Sequence, residues 1–163
     1  MRIALALPLA LASCTAVRLP AAEQASLDPI AFFEGRTYGT GTLKVVFDGT
    51  RPIAVESRGV RTADGLILAQ TIHEGGKPSR TREWVIRRVG SGRYSGSLTE
   101  AEGAVSLVTR GPRATIRYRM KDGLTVEQQL ALQADERTIL NNLEVRKWGV
   151  RVARLRETIR KLS

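Results

Sequence analysis

The stretch Arg113-Ala114-Thr115-Ile116-Arg117-Tyr118-Arg119-Met120-Lys121 decides the architecture of this chain. Ile116, Tyr118 and Met120 fall at every second position, with Arg113, Thr115, Arg117, Arg119 and Lys121 between them. Successive side chains of a strand point to opposite faces, so this alternation sets one face on a core and the other in water. Gly111-Pro112 and Asp122-Gly123 bound the stretch, and both are turn signals. One wet-sided strand between two tight turns belongs to an antiparallel sheet.

The same pattern extends in both directions. Leu43, Val45 and Phe47 alternate with Thr42, Lys44 and Val46 before Asp48-Gly49. Leu66, Leu68 and Ile72 share a face with Gln70 and Glu74, and Trp84 and Ile86 share theirs with Arg82 and Arg88. Downstream come Leu124, Val126, Leu130 and Leu132, then Ile139, Leu143 and Val145. Further turn signals stand at Asp64-Gly65, Gly75-Gly76, Gly90-Ser91-Gly92, Glu102-Gly103, Asp135-Glu136 and Trp148-Gly149. Nine turns divide the chain into ten extended segments, and turns this short join antiparallel neighbours. No crossover helix is available for a parallel sheet. The expected fold is all-β: an antiparallel up-and-down barrel of about 8–10 strands, because closure removes the exposed edges.

The final segment reads two ways. Val152, Leu155, Ile159 and Leu162 sit at helical spacing. With period 2, Arg151, Ala153, Leu155, Glu157 and Ile159 form one face, a poorer strand. Periodicity slightly favours a helix over 150–161.

At the other end, Asp28-Pro29 is a helix start, with Asp as cap and Pro at the first helical position. Ile30, Ala31, Phe32 and Phe33 give a short apolar helix that Gly35 stops, placed to plug one end of a barrel. Ahead of it, residues 14–27 are small and polar with Pro20 among them, which reads as a tether reaching on the order of 40 Å. Residues 1–13 read as a secretory signal, an apolar run behind Arg2. It ends in Leu11-Ala12-Ser13-Cys14, the pattern that bacterial lipoprotein signal peptidase cleaves once the thiol carries diacylglycerol. Cys14 is the only cysteine, so it is read as the lipidated N-terminus of the mature chain, the alternative being an ordinary signal with a chance Cys. Thr15 after the cysteine favours the inner leaflet of the outer membrane, facing the periplasm.

After residue 13, 150 residues remain, enough for one domain over 28–163 with a full core. The net charge of +10 raises nucleic acid as a partner. Three features lower it. Arginine supplies 21 of the 26 cations and is spread along the chain, aromatics make up only 5%, and export removes the protein from nucleic acid. The basic balance fits either an arginine-biased composition or attraction to anionic headgroups. The expectation is a monomer without nucleic acid, metal or cofactor.

Several stretches together resemble a known family. Phe32-Phe33-Glu34-Gly35-Arg36 precedes a Gly/Thr-rich strand, Leu66-x-Leu68 leads to Arg82-x-Trp84-x-Ile86, and Tyr94-Ser95-Gly96, Tyr118-x-Met120 and Lys147-Trp148-Gly149-Val150 follow, with Arg160-Lys161 at the end. The order resembles a family of short bacterial lipoproteins of unknown function with a calycin (lipocalin-like) barrel, over about residues 28–161. It has no established catalytic residues to carry over. Gln70 stands where the family has a glutamate, and its acidic pair in the eighth strand has no counterpart at 130–134. The resemblance implies that the last segment is a strand.

Catalytic constellations are sparse. His73 is the only histidine, on the face opposite Leu66, Leu68 and Ile72, which leaves neither a zinc site nor a triad. Gly39-x-Gly41 lacks the following helix of a phosphate loop. Glu100 and Glu102 read as solvated carboxylates near a turn. A non-enzyme is expected. The informative oddity is polar residues in register with the core: Gln70, Glu74, Arg82, Arg88, Gln128 and Asn141. Glu74 and Arg88 suit strand ends, while Gln70, Arg82 and Gln128 lie deeper and need partners, with Arg82 meeting Gln70 or Glu74 across a hairpin.

The leading expectation is a lipid-anchored envelope lipoprotein whose barrel binds a small apolar or amphipathic molecule, a lipid or fatty acid. Its wall would include Leu68, Trp84, Ile116, Tyr118 and Leu130, with Gln70 and Arg82 near a polar head. The alternative is a non-enzymatic structural or interaction lipoprotein with a filled barrel and a basic surface meeting envelope components. A cavity of roughly 300 Å³ or more separates the two.

Overall fold

The computed structural model describes residues 19–22 and 24–162. The expected signal at 1–13, Cys14 and the first part of the tether lie outside the described residues. Helix α1 (Pro29–Phe33) is followed by ten strands: β1 (Gly35–Val45), β2 (Gly49–Arg61), β3 (Gly65–Glu74), β4 (Arg80–Gly90), β5 (Arg93–Leu98), β6 (Ala101–Arg110), β7 (Arg113–Met120), β8 (Thr125–Leu132), β9 (Thr138–Lys147) and β10 (Val150–Lys161). Each strand pairs antiparallel with its neighbours in sequence, and β10 returns to β1, closing the barrel. No helix among the described residues is long and apolar enough to cross a membrane.

Alternation does the folding work. In β7, Ala114, Ile116 and Tyr118 are buried while Arg113, Thr115, Arg117 and Arg119 take the other face. Arg117 pairs outside with Glu127 of β8 at 2.8 Å. The last segment is a strand. In β10, Leu155, Glu157 and Ile159 are buried, opposite Leu143, Asn141 and Ile139 of β9. Its helical spacing is overridden because nine residue pairs with β1 and the ladder with β9 satisfy its backbone on both sides.

Eight of the nine expected turns lie between strands. The exception is Glu102-Gly103. The chain turns earlier, at Thr99-Glu100, where the Thr99 hydroxyl oxygen accepts from Glu83 N at 2.9 Å. The positive φ of Gly103 (74°) is used inside β6, where the register with β7 shifts between Glu102 and Ser106. A glycine after an acidic residue serves a turn or a bulge equally well.

One end of the barrel is closed by the segment leading into β1. Asp28 caps α1, accepting from Ile30 N at 2.9 Å, and its carboxylate meets Arg88 at 2.9 Å. Ile30, Phe32 and Phe33 are buried. Lys161, at the far end of the chain, donates to the carbonyls of Ala31 (2.6 Å) and Glu34 (3.0 Å), a cation placed at the helix C-terminus. The tether expectation needs correction for its described part. Ala22 N donates to Leu132 O at 2.9 Å, Leu27 N to Gly111 O at 2.8 Å, and Leu27 is buried. Residues 20–22 and 24–27 are therefore laid across the closed end: small apolar side chains there cover core that would otherwise meet water. The opposite end, where Asp48, Glu74, Arg80 and Glu100 stand, is the mouth.

Candidate functional site

The barrel interior holds a cavity of about 560 Å³ that runs from Phe33 at the closed end to Val46 and Phe47 at the mouth. Leu68, Gln70, Arg82, Trp84, Ile116, Tyr118 and Leu130 all border it. Strand register brings them together. Leu68 faces Trp84 and Gln70 faces Arg82 across β3 and β4, while Ile116 and Tyr118 come from β7 and Leu130 from β8.

A polar belt crosses this apolar wall, and Gln70 is its hub. Its carbonyl oxygen accepts from Arg82 Nε at 2.8 Å and Trp84 Nε1 at 2.7 Å, and its amide donates to Ser57 Oγ at 3.0 Å. The Arg82 guanidinium lies 5.4 Å from the centre of the Trp84 ring, and its Nη1 is 3.6 Å from Glu100 Oε2. Glu100 also pairs with Arg80, so it is a mouth carboxylate held by two arginines rather than one left to solvent. Trp84 and Tyr118 meet edge to face at 5.6 Å. Burial pushes the Tyr118 phenol up, against the pull of Arg82 and a bond from Gln128. The expected pairing of Arg82 with Gln70 is present. Glu74 instead meets Arg51 (3.0 Å) and Lys77 (3.1 Å) at the mouth.

The other side of the belt comes from residues that sequence reasoning did not put in the site. Glu157 of β10 is 8% exposed and accepts from Asn141 Nδ2 at 2.9 Å. Burial raises its carboxyl above the ordinary range, with Asn141 and the Arg82 charge opposing. The Asn141 side-chain oxygen, buried in the same wall, has no hydrogen-bond partner among the described residues. The signal was in the period-2 face of the last segment, where Glu157 stands between Leu155 and Ile159. The glycines of β1 make room for it: a Cβ on Gly39 would sit 2.0 Å from Glu157 Oε1. That is the role of Gly39 in the motif too short for a phosphate loop. His73 lies outside the barrel, its Nδ1 2.7 Å from Ser79 Oγ.

The interior thus offers an apolar sleeve with one cation, one buried carboxyl and an unpaired amide oxygen at mid-height. Such a chamber has room for a small molecule with an apolar body and a polar group that accepts from Arg82.

Fold and chamber define a lipocalin-like barrel with a small-molecule-sized interior. The chain belongs to the family described as "Protein of unknown function (DUF3833)", whose model matches residues 8–161. No curated protein matches its sequence. Among solved structures it is similar to the S-type phycobiliprotein lyase CPES from Guillardia theta, with a TM-score of 0.62 at 5% identity, covering 82% of this chain and 91% of that one. At that identity the likeness shows the fold alone.

Proposed function

We propose that this protein is a lipid-anchored envelope lipoprotein whose barrel binds a small amphipathic molecule, a lipid or fatty acid, without catalysing a reaction. The observation that carries the reading is the cavity of about 560 Å³, apolar along its length and polar at one belt. The filled-barrel alternative needs no such space. Arg82 supplies a cation beside an aromatic face, and guanidinium binds carboxylates in paired hydrogen bonds. Each buried methylene of an acyl chain adds roughly 0.8 kcal/mol.

Anchoring is supported by Leu11–Cys14 and by where the chain meets the barrel. Residues 20–22 and 24–27 lie on the closed end, and a chain of at most roughly 18 Å links Leu19 to Cys14. The expected place is the periplasmic face of the outer membrane, with the barrel a monomer.

Native mass spectrometry of the protein purified from membranes tests the binding reading. A co-purifying species that is lost from the Arg82→Ala protein is expected. Protein of the mass of the acylated chain alone, with no Trp84 emission change on titration with fatty acids or phospholipids, would refute it.

A further inference from the structure

The mouth carries two residues that folding alone does not favour. Trp148 and Gly149 form the two-residue turn between β9 and β10, with Lys147 paired to Val150 and positive φ at both (50° and 81°). Asn-Gly occupies such a turn with least strain. A tryptophan there is held in the left-handed region and, 92% exposed, gains no packing for it. Phe47, at the tip between β1 and β2, repeats the pattern with φ 64° and a fully exposed ring. Strain without a structural return points to a function.

The two tips are neighbours. Val46 N donates to Val152 O at 2.9 Å, where β1 and β10 close the barrel. Val46 and Val150 are exposed beside the aromatic rings, and Val46 and Phe47 border the cavity opening. Around them the charge is mostly positive. Residues 44–51 and 144–154 carry Lys44, Arg51, Arg146, Lys147, Arg151 and Arg154 against Asp48 and Glu144. The Lys147 ammonium lies 4.9 Å from the centre of the Trp148 ring.

From this geometry we infer that the two tips dock the mouth on an anionic lipid bilayer, with Phe47 and Trp148 inserted at the headgroup level. The amphipathic indole of Trp148 settles at that depth, the apolar Phe47 ring buries at the headgroup/acyl boundary beside it, and nearby cations are drawn to anionic headgroups. Arg51 is paired with Asp48 and Glu74, and Arg146 and Arg151 with Glu144, which leaves Lys44, Lys147 and Arg154 without an ion pair among the described residues. A protein partner would need carboxylates matched to their positions, whereas an anionic bilayer presents negative charge everywhere. Docked this way, the cavity opens onto the surface that supplies its ligand. The inference rests on the amphipath-binding reading for that purpose, but not for its geometry. The tips point away from the end where the chain enters, so docking does not depend on acylation of Cys14.

The test uses the full chain with Cys14→Ser and vesicles of phosphatidylglycerol with phosphatidylcholine, or phosphatidylcholine alone. Trp148 emission should shift to the blue on the anionic vesicles at low salt and be quenched by lipids brominated on the acyl chain. Added salt should weaken binding. In co-sedimentation, Phe47→Asn with Trp148→Asn should lower the vesicle partition about tenfold or more. Its thermal midpoint should equal or exceed the parent's, since Asn suits both turns, which separates lost docking from lost folding. Unmoved Trp148 emission, equal binding to neutral vesicles, or undiminished binding of the double variant would overturn the proposal. So would an emission shift that tracks protein concentration without vesicles, which would mean that a second copy covers the tips. Ligand uptake is read separately through Trp84, so its failure with docking intact would remove the binding reading alone.

Discussion

Replacing Arg82 by alanine separates a binding role from a packing role. The guanidinium is 14% exposed and gives one hydrogen bond to Gln70 and a longer contact to Glu100. Neither partner is orphaned by its loss, because Gln70 keeps the Trp84 indole and Glu100 keeps Arg80. The cost to folding should therefore stay near that of one ordinary hydrogen bond, about 1 kcal/mol. A bound carboxylate, in contrast, would lose the cation at mid-height, since Lys77 and Arg80 line the cavity only at its mouth. A charge-assisted hydrogen bond contributes about 1.5–3 kcal/mol, which corresponds to a roughly ten- to 150-fold weaker Kd. Trp84 emission in a Trp148→Phe background reads the titration, with a saturated fatty acid compared with the alcohol of the same chain length. The acid should lose affinity and the alcohol should not. Above the raised pKa of Glu157, where its carboxyl is ionised, Glu157→Gln should act with the opposite sign and tighten the acid by removing a like charge from the same belt. The effect should vanish as pH falls. Equal losses for acid and alcohol, or no loss for either, would show that Arg82 is wall and not receptor.

Glu157→Gln also makes a stability prediction. Burial raises the Glu157 carboxyl above its ordinary value of 4.5, so the folded protein holds a proton that the unfolded chain releases. The stability tied to that proton is complete below about 4.5 and is lost as pH rises through the folded value. The Gln variant should melt higher than the parent at neutral pH, with the gap closing as pH falls toward 4.5. Gly39→Ala should destabilise the barrel by about 1–3 kcal/mol in urea titrations, because its Cβ meets Glu157 Oε1. Pairing it with Glu157→Ala should recover part of that loss, a non-additivity that independent sites do not show. Asp28→Ala should remove the cap on α1, at about 1 kcal/mol, and speed hydrogen exchange over residues 28–34. Cys14→Ser should move the protein from the membrane to the soluble fraction in high salt; persistence there would sink the anchoring reading.

The sequence made some features of this chamber plain and hid others. Gln70, Arg82 and Trp84 were readable because β3 and β4 are joined by a short turn that fixes their register, so period 2 alone puts three side chains on one wall. Glu157 was hidden for the opposite reason. Its neighbours across the sheet are Asn141 in β9 and Gly41 in β1, the latter more than a hundred residues away in the chain, and only closure makes that face interior. A carboxylate between two apolar residues reads as a defect in a strand until its asparagine partner is known. The Glu102-Gly103 turn misled because a bulge and a turn ask the same of a glycine.

What the sequence determined by itself is what local chemistry controls. Alternation fixed which face of each strand is wet, turn residues fixed eight of the nine reversals of the chain, and Asp28-Pro29 fixed where the helix starts. All of these are interactions between residues a few positions apart. Tertiary structure settled β10 as the strand that the family resemblance implied against its helical spacing, and it alone decided the rest: that residues 20–22 and 24–27 lie on the barrel, that Lys161 caps α1, and that Phe47 and Trp148 stand together at the mouth. All but the placement of the segment before α1, which is bonded to Leu132 and Gly111, depend on β10 meeting β1. That contact joins the two ends of the chain, and no periodicity within either end encodes it.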